Sequence, residues 1–538
     1  MPCARVRSAA APACAAVRAL RAGLVLALAL AAGPAAAFDM DEVAARAQAL
    51  AAAPYRARAP VPAWMRSPEH GGSMSYDQWR DIRFRPDHAL WRERGSAFQV
   101  QFFHPGLYYD RSVQIHAIED GGVQTVPFDP ERFHYGKNDF ADRIPRDVGY
   151  AGFRVHYPLK TADYRDEVIV FLGASYFRAV GRDNVYGLSA RGVAVDTVEP
   201  SGEEFPDFTD FWLETPAPDA IHLVVYALLD GPSLAGAYRF DVYPGLETRV
   251  EIEARLFPRK PVRKLGIAPL TSMFFFGENT TRAFDDFRPE VHDSDGLLLH
   301  LAGGEWLWRP VDNPTRIDVA SFAAPNPLGF GLLQRDRDFR SYEDIETRME
   351  RRPSAWVEPR GDWGPGRVEL VRLPTQTELV DNLVAYFVPD GPVDPAVPRT
   401  LAFRYAVSFY GDDPGRPPAG RAVATRRDSG SKGAGQRFVV DFDGERLRAL
   451  PDDAPPDAVV SVGPRADAAA LLDQHVVRHP GTGGWRLSFQ LRPASEEPIE
   501  LRAYLKRGDD VLSETWSYSL LPTASEAAAS RTDRTSVQ

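Results

Sequence analysis

Short runs in which apolar and polar residues alternate occupy most of the chain and are separated by Gly, Pro, Asn and Asp. Examples are "SAFQVQFFHPG", "DEVIVFLGASYF", "IHLVVYALLDGP" and "RVELVRLP". A period of two places successive side chains on opposite faces, which predicts strands with one buried face. The density of such runs predicts an all-β protein made of antiparallel sheets, in sandwich or barrel form.

Two segments show helical spacing instead. Residues 39–57 begin with an aspartate, are rich in alanine and contain Pro54 as a stop signal. Residues 340–354 carry charges at helical spacing, and the predicted helix ends before Pro353. The sequence therefore predicts one helix in each segment.

The first 37 residues have the composition of a secretory signal peptide. Four arginines and no acidic residue precede an apolar run over residues 22–33, and small residues lead up to Phe38. No later run reaches the roughly 20 apolar residues that a membrane-spanning helix needs. We therefore expect cleavage before Phe38 and export to the periplasm, and we do not expect an integral membrane protein.

The composition changes near residue 389, which predicts a domain boundary. A strong strand over residues 401–410 is followed by a Pro- and Gly-rich stretch and then by further strand-like runs, as is typical of a small immunoglobulin-like sandwich. We predict a large β-sandwich over residues 38–410, a linker over 411–420 and an immunoglobulin-like domain over 421–523. The polar residues 524–538 are predicted to be a disordered tail.

Charge and cysteine content exclude several kinds of function. Removal of the signal peptide takes away four arginines, so the net charge becomes more negative than the −11 of the whole chain. Binding to nucleic acid needs clustered Lys and Arg and is therefore not expected, whereas neutral sugars need no counter-charge. Both cysteines, Cys3 and Cys14, lie in the signal peptide, which excludes a disulfide, a cysteine nucleophile and a zinc–thiolate site from the exported chain.

Local motifs alone do not identify the chemistry. Residues 187–192, "GLSARG", are one residue too long for a nucleophile elbow and are interpreted as a turn bounded by glycines. The Asp-Ser-Asp of residues 293–295 imitates the metal-binding motif of nucleotide-sugar transferases, but nucleotide sugars are not available outside the inner membrane. The same loop lacks the ligand spacing of an EF-hand. We therefore expect neither a metal nor a cofactor.

Aromatic residues beside carboxylates and arginines recur along the chain, for example in "SYDQWRDIRFRPDHALW", "GGEWLWRPVDNP" and "ELVDN". Aromatic rings stack on the apolar faces of sugars, and glycoside cleavage needs two carboxyl groups in opposite roles. The same residues are also ordinary in a sandwich core and on a charged surface. Composition leaves both interpretations open.

Taken together, long stretches of the chain resemble the periplasmic glucan biosynthesis proteins of the G and D types. They include "SYDQWRDIRFRPDHALWR", "FQVQFFHPGLYYDR", "LGIAPLTSMFFFGEN", "DFRPEVHDSDGL", "RRPSAWVEPRGDWG" and "LSETWSY", they occur in order, and they span nearly the whole exported chain. The resemblance implies a large sandwich of the galactose-mutarotase type joined to a small immunoglobulin-like domain. It also implies a role in making osmoregulated periplasmic glucans, with a β-1,2-linked glucan as the ligand.

The family includes inverting endo-β-1,2-glucanases, and the resemblance implies roles for individual residues. Asp293 matches the general base and Asp381 the general acid. The residues that the resemblance assigns to substrate binding are Glu378, Arg352, Glu290, Trp306 and Trp356.

The chain also departs from the family pattern. In "QTELVDN", residues 376–382, Leu379 and Val380 replace two polar residues before the acid, and Met349 stands where an aromatic residue is common. The residues therefore leave a second function open, a non-catalytic factor that receives nascent glucan from the inner-membrane synthase. An epimerase of free sugars has only fold analogy in its favour. The type is open too, since the C-terminal domain looks D-like and the absence of a twin arginine looks G-like.

Overall fold

The computed structural model describes Met1 and residues 38–280, 284–397, 399–413, 415–428, 435–463, 469–493 and 496–522. Apart from Met1, the predicted signal peptide lies outside these residues, and so does the predicted tail, residues 524–538. Strands predominate in the described part of the chain, and the all-β prediction is confirmed. Its α-helices are α1 Met40–Ala52, α2 Tyr76–Arg80, α3 Phe339–Tyr342 and α4 Glu445–Arg448. None of the helices in these residues combines the length and the apolar composition needed to cross a membrane.

The strands that precede residue 411 are β1 Arg83–Phe84, β2 Gln99–Phe103, β3 Gln114–Glu119, β4 Gly122–Thr125, β5 Phe133–His134, β6 Gly152–Thr161, β7 Tyr164–Leu172, β8 Tyr176–Ala179, β9 Ser189–Arg191, β10 Val193–Val195, β11 Asp207–Glu214, β12 Leu223–Asp230, β13 Leu234–Tyr243, β14 Thr248–Pro258, β15 Leu265–Ser272, β16 Phe274–Phe276, β17 Val291–His292, β18 Gly296–His300, β19 Trp306–Pro310, β20 Asp318–Ala323, β21 Gly329–Leu333, β22 Ser354–Arg360, β23 Gly366–Arg372, β24 Leu383–Pro389 and β25 Leu401–Tyr410. Those that follow are β26 Arg421–Asp428, β27 Gln436–Asp443, β28 Asp457–Val462, β29 Ala469–Arg478, β30 Trp485–Pro493, β31 Ile499–Arg507, β32 Asp510–Val511 and β33 Thr515–Leu520.

Two large sheets form the main sandwich. Among the described residues, one sheet has ten strands in the order β2-β6-β7-β8-β9-β15-β24-β23-β20, with β10 paired to β15. The other has fifteen strands in the order β28-β31-β33-β19-β18-β21-β22-β25-β14-β13-β12-β11-β3-β4, with β32 paired to β31. Most neighbouring strands are antiparallel, as the alternating pattern predicts.

The alternation of the sequence explains which side chains fill the main core. In β14, Val250, Ile252, Ala254 and Leu256 are buried between the sheets, whereas the residues between them are partly exposed. Strand β12 is buried on both faces because α1 covers its outer side, where Val43 and Ala47 pack with Tyr226. Asp39 caps this helix by accepting the backbone N–H groups of two residues in its first turn.

The C-terminal part of the chain forms a second, smaller sandwich. A four-stranded sheet, β26-β27-β30-β29, packs against the end of the fifteen-stranded sheet that contains β28, β31 and β33. Their shared core includes Phe438, Trp485, Phe489 and Trp516, and it extends to Trp308 and other residues of the large sandwich. The two sandwiches therefore share both a sheet and a core.

The junction between the sandwiches rests on a buried ion pair. The guanidinium of Arg335, after β21, donates two hydrogen bonds to the carboxylate of Glu514, at 2.5 Å and 2.9 Å. The Glu514 side chain is 0% exposed and that of Arg335 is 5% exposed. Arg335 also lies over the ring of Trp308, and Glu514 accepts the backbone N–H of Ala422 at the start of the small sandwich.

The helix predicted over residues 340–354 is largely wrong. The segment contains only the four residues of α3 and a single 3-10 turn at Met349–Arg351. The Asp344 carboxylate accepts the backbone N–H groups of Glu346 and Thr347, so it competes with the hydrogen bonds of a helix. Glu343 and Arg348 adopt left-handed backbone conformations, which also stop a right-handed helix.

We predict that Glu514→Gln destabilises the protein because it leaves the buried charge of Arg335 without its partner. Breaking a buried pair in this way typically costs about 3–5 kcal/mol in the free energy of unfolding. Urea denaturation followed by tryptophan fluorescence measures the change. The exposed Glu496→Gln is the matched control, with an expected change within about 0.5 kcal/mol. An equal stability of the two variants would contradict the assigned role of the pair.

Candidate functional site

An open cleft of ≈ 740 Å³ lies on the outer face of the ten-stranded sheet. Its floor consists of outward-facing residues of β7 and β8, because Ile169 and Phe171 point into the core and Val170 and Leu172 point out. Asp381, in the loop before β24, lines one side of the cleft.

Aromatic side chains form much of the cleft wall. Tyr108 and Tyr109 follow β2, and Tyr176 and Tyr186 belong to the segment around β8. Tyr108 is 51% exposed, so its ring is open to a ligand. A second cleft of ≈ 480 Å³ is also lined by Tyr108 and Tyr109 and reaches Phe205. The two clefts together form one groove.

The backbone at the junction of the two clefts is strained. Leu107 has φ 57° and Ala174 has φ 41°, a left-handed region that non-glycine residues rarely adopt. Residues held in such conformations concentrate at binding and catalytic sites. Ala174 lines both clefts, and Leu107 directly precedes Tyr108, which also lines both.

Asp293 lies in the short loop between β17 and β18. Its backbone N–H donates to the carbonyl of Met273 at 2.8 Å, and the neighbouring Ser294 shares a hydroxyl hydrogen bond with Ser272. The Asp293 side chain is 8% exposed and forms an ion pair with Arg352.

Asp381 is held beside the same stretch of chain by its neighbour Asn382. The Asn382 side chain accepts the N–H of Phe274 at 2.8 Å and donates to the carbonyls of Phe274 and Leu373 at 3.0 Å. The backbone N–H of Asn382 donates to the carbonyl of Ser272. Residues 272–274 therefore carry Asp293 on one side and Asp381 on the other.

Arg352 connects the two aspartates electrostatically. It pairs with Asp293, and the negative charge of Asp381 also acts on its guanidinium. Burial lowers the pKa of Arg352 to about 10, with a further lowering by Arg178 and Arg288 that Glu378 and Asp381 oppose. Glu378, predicted to bind substrate, pairs with Arg288 at 2.7 Å in the same group of charges.

The environment of Asp381 favours its protonated form. Burial raises the pKa of Asp381, and the charges of Arg178, Arg352 and Arg191 oppose this rise without reversing it. Leu379 and Val380 line the cleft next to Asp381 but are themselves 86% and 52% exposed. A raised carboxyl pKa is the direction of shift that suits a general acid.

Glu290 lies behind this group of residues, in a separate small cavity. Its carboxylate is hydrogen-bonded to the Nε2 atom of the buried His292 at 2.9 Å. Glu290 lines the cavity together with Glu278, Asp295 and Asp336. Burial and the charge of Glu290 raise the pKa of Glu278 to about 8. We call this space, lined by Glu278, Asn279, Glu290, Asp295 and Asp336, the acidic cavity.

The two tryptophans predicted to bind substrate lie outside the cleft that Asp381 lines. Trp356 is 3% exposed in the core shared by the two sandwiches, and Trp306 stacks between Trp356 and His300, with ring centroids 5.6 Å and 4.0 Å apart. Neither lines the cleft in which Asp381 lies. Met349 is also buried, in a cluster with Phe275, Phe276, Val291 and Tyr342.

The sequence analysis did not assign roles to several residues that the structure brings to the cleft. Arg178 acts electrostatically on Asp381 and Arg352, and Tyr108 and Tyr109 form the cleft wall. The tyrosine pair falls within "FQVQFFHPGLYYDR", one of the stretches that carry the resemblance, which is the signal that could have indicated it.

Comparison with known proteins agrees with this resemblance. The chain matches the model of a family described as "Periplasmic glucan biosynthesis protein, MdoG" over residues 38–520. It is 49% identical over 506 residues to "Glucans biosynthesis protein G" of Ralstonia nicotianae, covering 92% of this chain and 98% of that protein. A protein of the same name from Sodalis glossinidius is 43% identical over 511 residues, covering 93% of this chain and 96% of the relative.

The raised pKa of Asp381 predicts a pH-dependent effect of Asp381→Asn on stability. A carboxyl whose pKa is higher in the folded state stabilises the protein at low pH, and this contribution is lost as pH rises through the folded pKa. We therefore expect Asp381→Asn to raise the melting temperature relative to the wild type at pH 7 but not near pH 3. Thermal denaturation at both pH values tests this, with the exposed Asp219→Asn as control. A gain of the same size at both pH values would argue against the burial effect.

Proposed function

The chain belongs to the periplasmic glucan biosynthesis protein family, and from this premise we propose that it is an inverting endo-β-1,2-glucanase. In this proposal it acts in the periplasm, where it cleaves the β-1,2-linked backbone internally and so trims or shapes the glucan during its synthesis. The observation that carries the proposal is the placement of Asp293 and Asp381 on either side of residues 272–274, both within the electrostatic reach of Arg352. Asp381 lines an open cleft with an aromatic wall, whereas Asp293 is buried and is not among the lining residues.

Inverting hydrolysis assigns opposite tasks to the two carboxyl groups. Asp381, whose pKa is raised by burial, donates its proton to the glycosidic oxygen as the C–O bond breaks. Asp293 accepts a proton from the attacking water, either directly or through a chain of water and sugar hydroxyls. The water attacks from the face opposite the leaving group, so a β-linkage yields an α-anomer. Arg352 and Arg288 hold Asp293 and Glu378, and the Glu378 carboxylate is a partner for sugar hydroxyls.

The shape of the groove suits a polymer. The clefts share Tyr108 and Tyr109 and together continue along the surface, so that several sugar units can lie across the aromatic wall. The sheet beneath the groove is antiparallel, and the hydrogen bonds of Asn382 to Phe274 and Leu373 hold the acid beside it. A groove that is open along the surface and accepts several sugar units favours cleavage within the chain rather than at its end.

A second function is favoured by two observations around the same residues. The ion pair with Arg352 satisfies the charge of Asp293 and weakens it as a base. Leu379 and Val380 expose apolar surface where polar residues would bind sugar hydroxyls. Both features suit a non-catalytic factor that binds nascent glucan from the inner-membrane synthase and presents it for further assembly.

The deciding experiment is a reducing-end assay with linear β-1,2-glucan and the purified chain from residue 38 onward. We expect the wild type to release reducing ends, and we expect Asp293→Asn and Asp381→Asn each to lower the rate by about 100-fold or more, as is usual for loss of a general acid or base. Asp219→Asn serves as the matched control. Proton NMR during the reaction distinguishes the α-anomer of inversion from the β-anomer of retention.

Each outcome of this assay supports or rejects a stated part of the two functional proposals. Glucan binding without reducing-end release by the wild type would reject the glucanase and favour the assembly factor. Release that survives both aspartate substitutions would reject the assigned pair. Absence of both binding and release would reject both functions for this glucan.

The aromatic wall predicts a contribution to glucan affinity that does not depend on catalysis. We expect Tyr108→Ala to weaken binding by about five- to tenfold, which corresponds to about 1–1.4 kcal/mol for the loss of one stacking surface. Tyr164→Ala is the control, because Tyr164 is 68% exposed but lies outside the cleft lining. Calorimetric titration with β-1,2-glucan measures both variants, and equal affinities would remove Tyr108 from the binding surface.

A further inference from the structure

The acidic cavity lies where the two sandwiches meet, behind the loop that carries Asp293. Its walls come from the segments after β16 and β21, from the loop around β17, and from residues 422–425 of β26 in the small sandwich. The cavity has a volume of ≈ 30 Å³, which exceeds the space that one buried water needs. It is separate from the open cleft that Asp381 lines, and no step of the proposed hydrolysis uses it.

The carboxylates of this cavity converge closely. Oxygen atoms of Glu278, Glu290 and Asp336 lie within 4.8 Å of one another, and Asp295, which also lines the cavity, forms a second close group with Glu290 and His292. Oxygens that bind one Ca²⁺ at about 2.4 Å are at most about 4.8 Å apart, so this spacing is that of a shared ligand sphere.

The carboxyl groups that line the cavity outnumber the cationic side chains paired with them in the described part of the chain. His292 lies 2.9 Å from Glu290 and Arg426 lies 3.7 Å from Glu278, whereas Arg335 is already paired with Glu514. Four carboxylates therefore face two cationic partners. Buried carboxylates without matching charge are costly unless a cation joins them.

A second observation points to a ligand independently of the carboxylates. Asn279 lines the cavity and is 4% exposed, and its side-chain N–H donates to the carbonyl of Val311 at 2.7 Å. This bond fixes the orientation of the amide, and the Asn279 Oδ1 atom has no hydrogen-bond partner among the described residues. This amide oxygen and the carboxylates of Glu278, Glu290 and Asp336 are hard oxygen donors on residues that line one cavity.

We propose that the acidic cavity binds one divalent cation, and that Ca²⁺ is the metal its donors fit. Carboxylates of Glu278, Glu290 and Asp336 and the amide oxygen of Asn279 supply the protein ligands, and water completes the six to eight oxygens that Ca²⁺ prefers. No metal was expected from the sequence, because these ligands come from three separate segments and form no local motif.

The cation has a structural role in this proposal. Glu278 also accepts the backbone N–H of Thr425 in the small sandwich, at 2.6 Å. Asp295 accepts the backbone N–H groups of Arg335 and Asp336, so it ties the Asp293 loop to the same wall. A bound cation thereby joins the small sandwich to the loop that carries Asp293, and it stabilises the folded protein by mass action.

Terbium luminescence tests the proposal directly, because Trp308 lines the cavity and sensitises a Tb³⁺ ion bound there. We expect the chelator-treated protein to bind one equivalent of Tb³⁺ with sensitised emission and Ca²⁺ to displace it. We also expect millimolar Ca²⁺ to raise the melting temperature of the chelated protein.

Two isosteric variants and a control locate the ion. Glu290→Gln keeps an oxygen that can accept from His292, and Asp336→Asn keeps one that can accept the N–H of Asp338. We expect each to weaken Tb³⁺ binding by at least tenfold while retaining the wild-type circular dichroism spectrum in chelator. The exposed Glu346→Gln should bind like the wild type.

The proposal fails if the folded wild type shows neither sensitised emission nor a Ca²⁺-dependent melting temperature. It also fails if the emission survives both Glu290→Gln and Asp336→Asn, since the ion then binds elsewhere. These readouts involve no glucan, so they are independent of the outcome of the glucanase assay.

Discussion

The geometry of the molecule depends on the buried ion pair of Arg335 and Glu514. Both side chains are almost completely buried, so each needs the other to offset the loss of hydration. The pair fixes the small sandwich against the large one, and the backbone N–H of Arg335 holds Asp295 in the loop next to Asp293. One residue therefore relates the position of the C-terminal domain to the position of a candidate catalytic aspartate.

The remaining constraints at the site are short-range and come from buried polar groups. Asn382 places Asp381 against residues 272–274, and the same residues hold Asp293 through Met273. Arg352 brings compensating charge to both aspartates from a different part of the chain. The sheets supply a rigid base, but hydrogen bonds and ion pairs at their edges determine which residues meet at the cleft.

Alternation of side chains was sufficient to predict strands such as β7 and β14, because burial of one face is a local property of the sequence. The helix predicted over residues 340–354 was largely wrong, because charge spacing does not reveal that the Asp344 side chain accepts backbone N–H groups. The resemblance indicated Asp293 and Asp381 but could not place Glu290, whose cavity also contains Glu278 and residues of the small sandwich. Contacts of this kind depend on how segments that are distant in the sequence pack together, so neither composition nor residue spacing predicts them.

The parallel pairing of β19 with β33 has a consequence for the order of folding. Glu305 and Thr515, which are joined by a hydrogen bond at this pairing, are 210 residues apart in the chain. Until β33 is available, β19 presents an unpaired edge with Trp308 beside it, and such edges invite association with other chains. Long-range pairing of this kind forms slowly. A large sandwich that folded before β33 became available would therefore expose an edge prone to aggregation, which a chaperone that shields strand edges would protect.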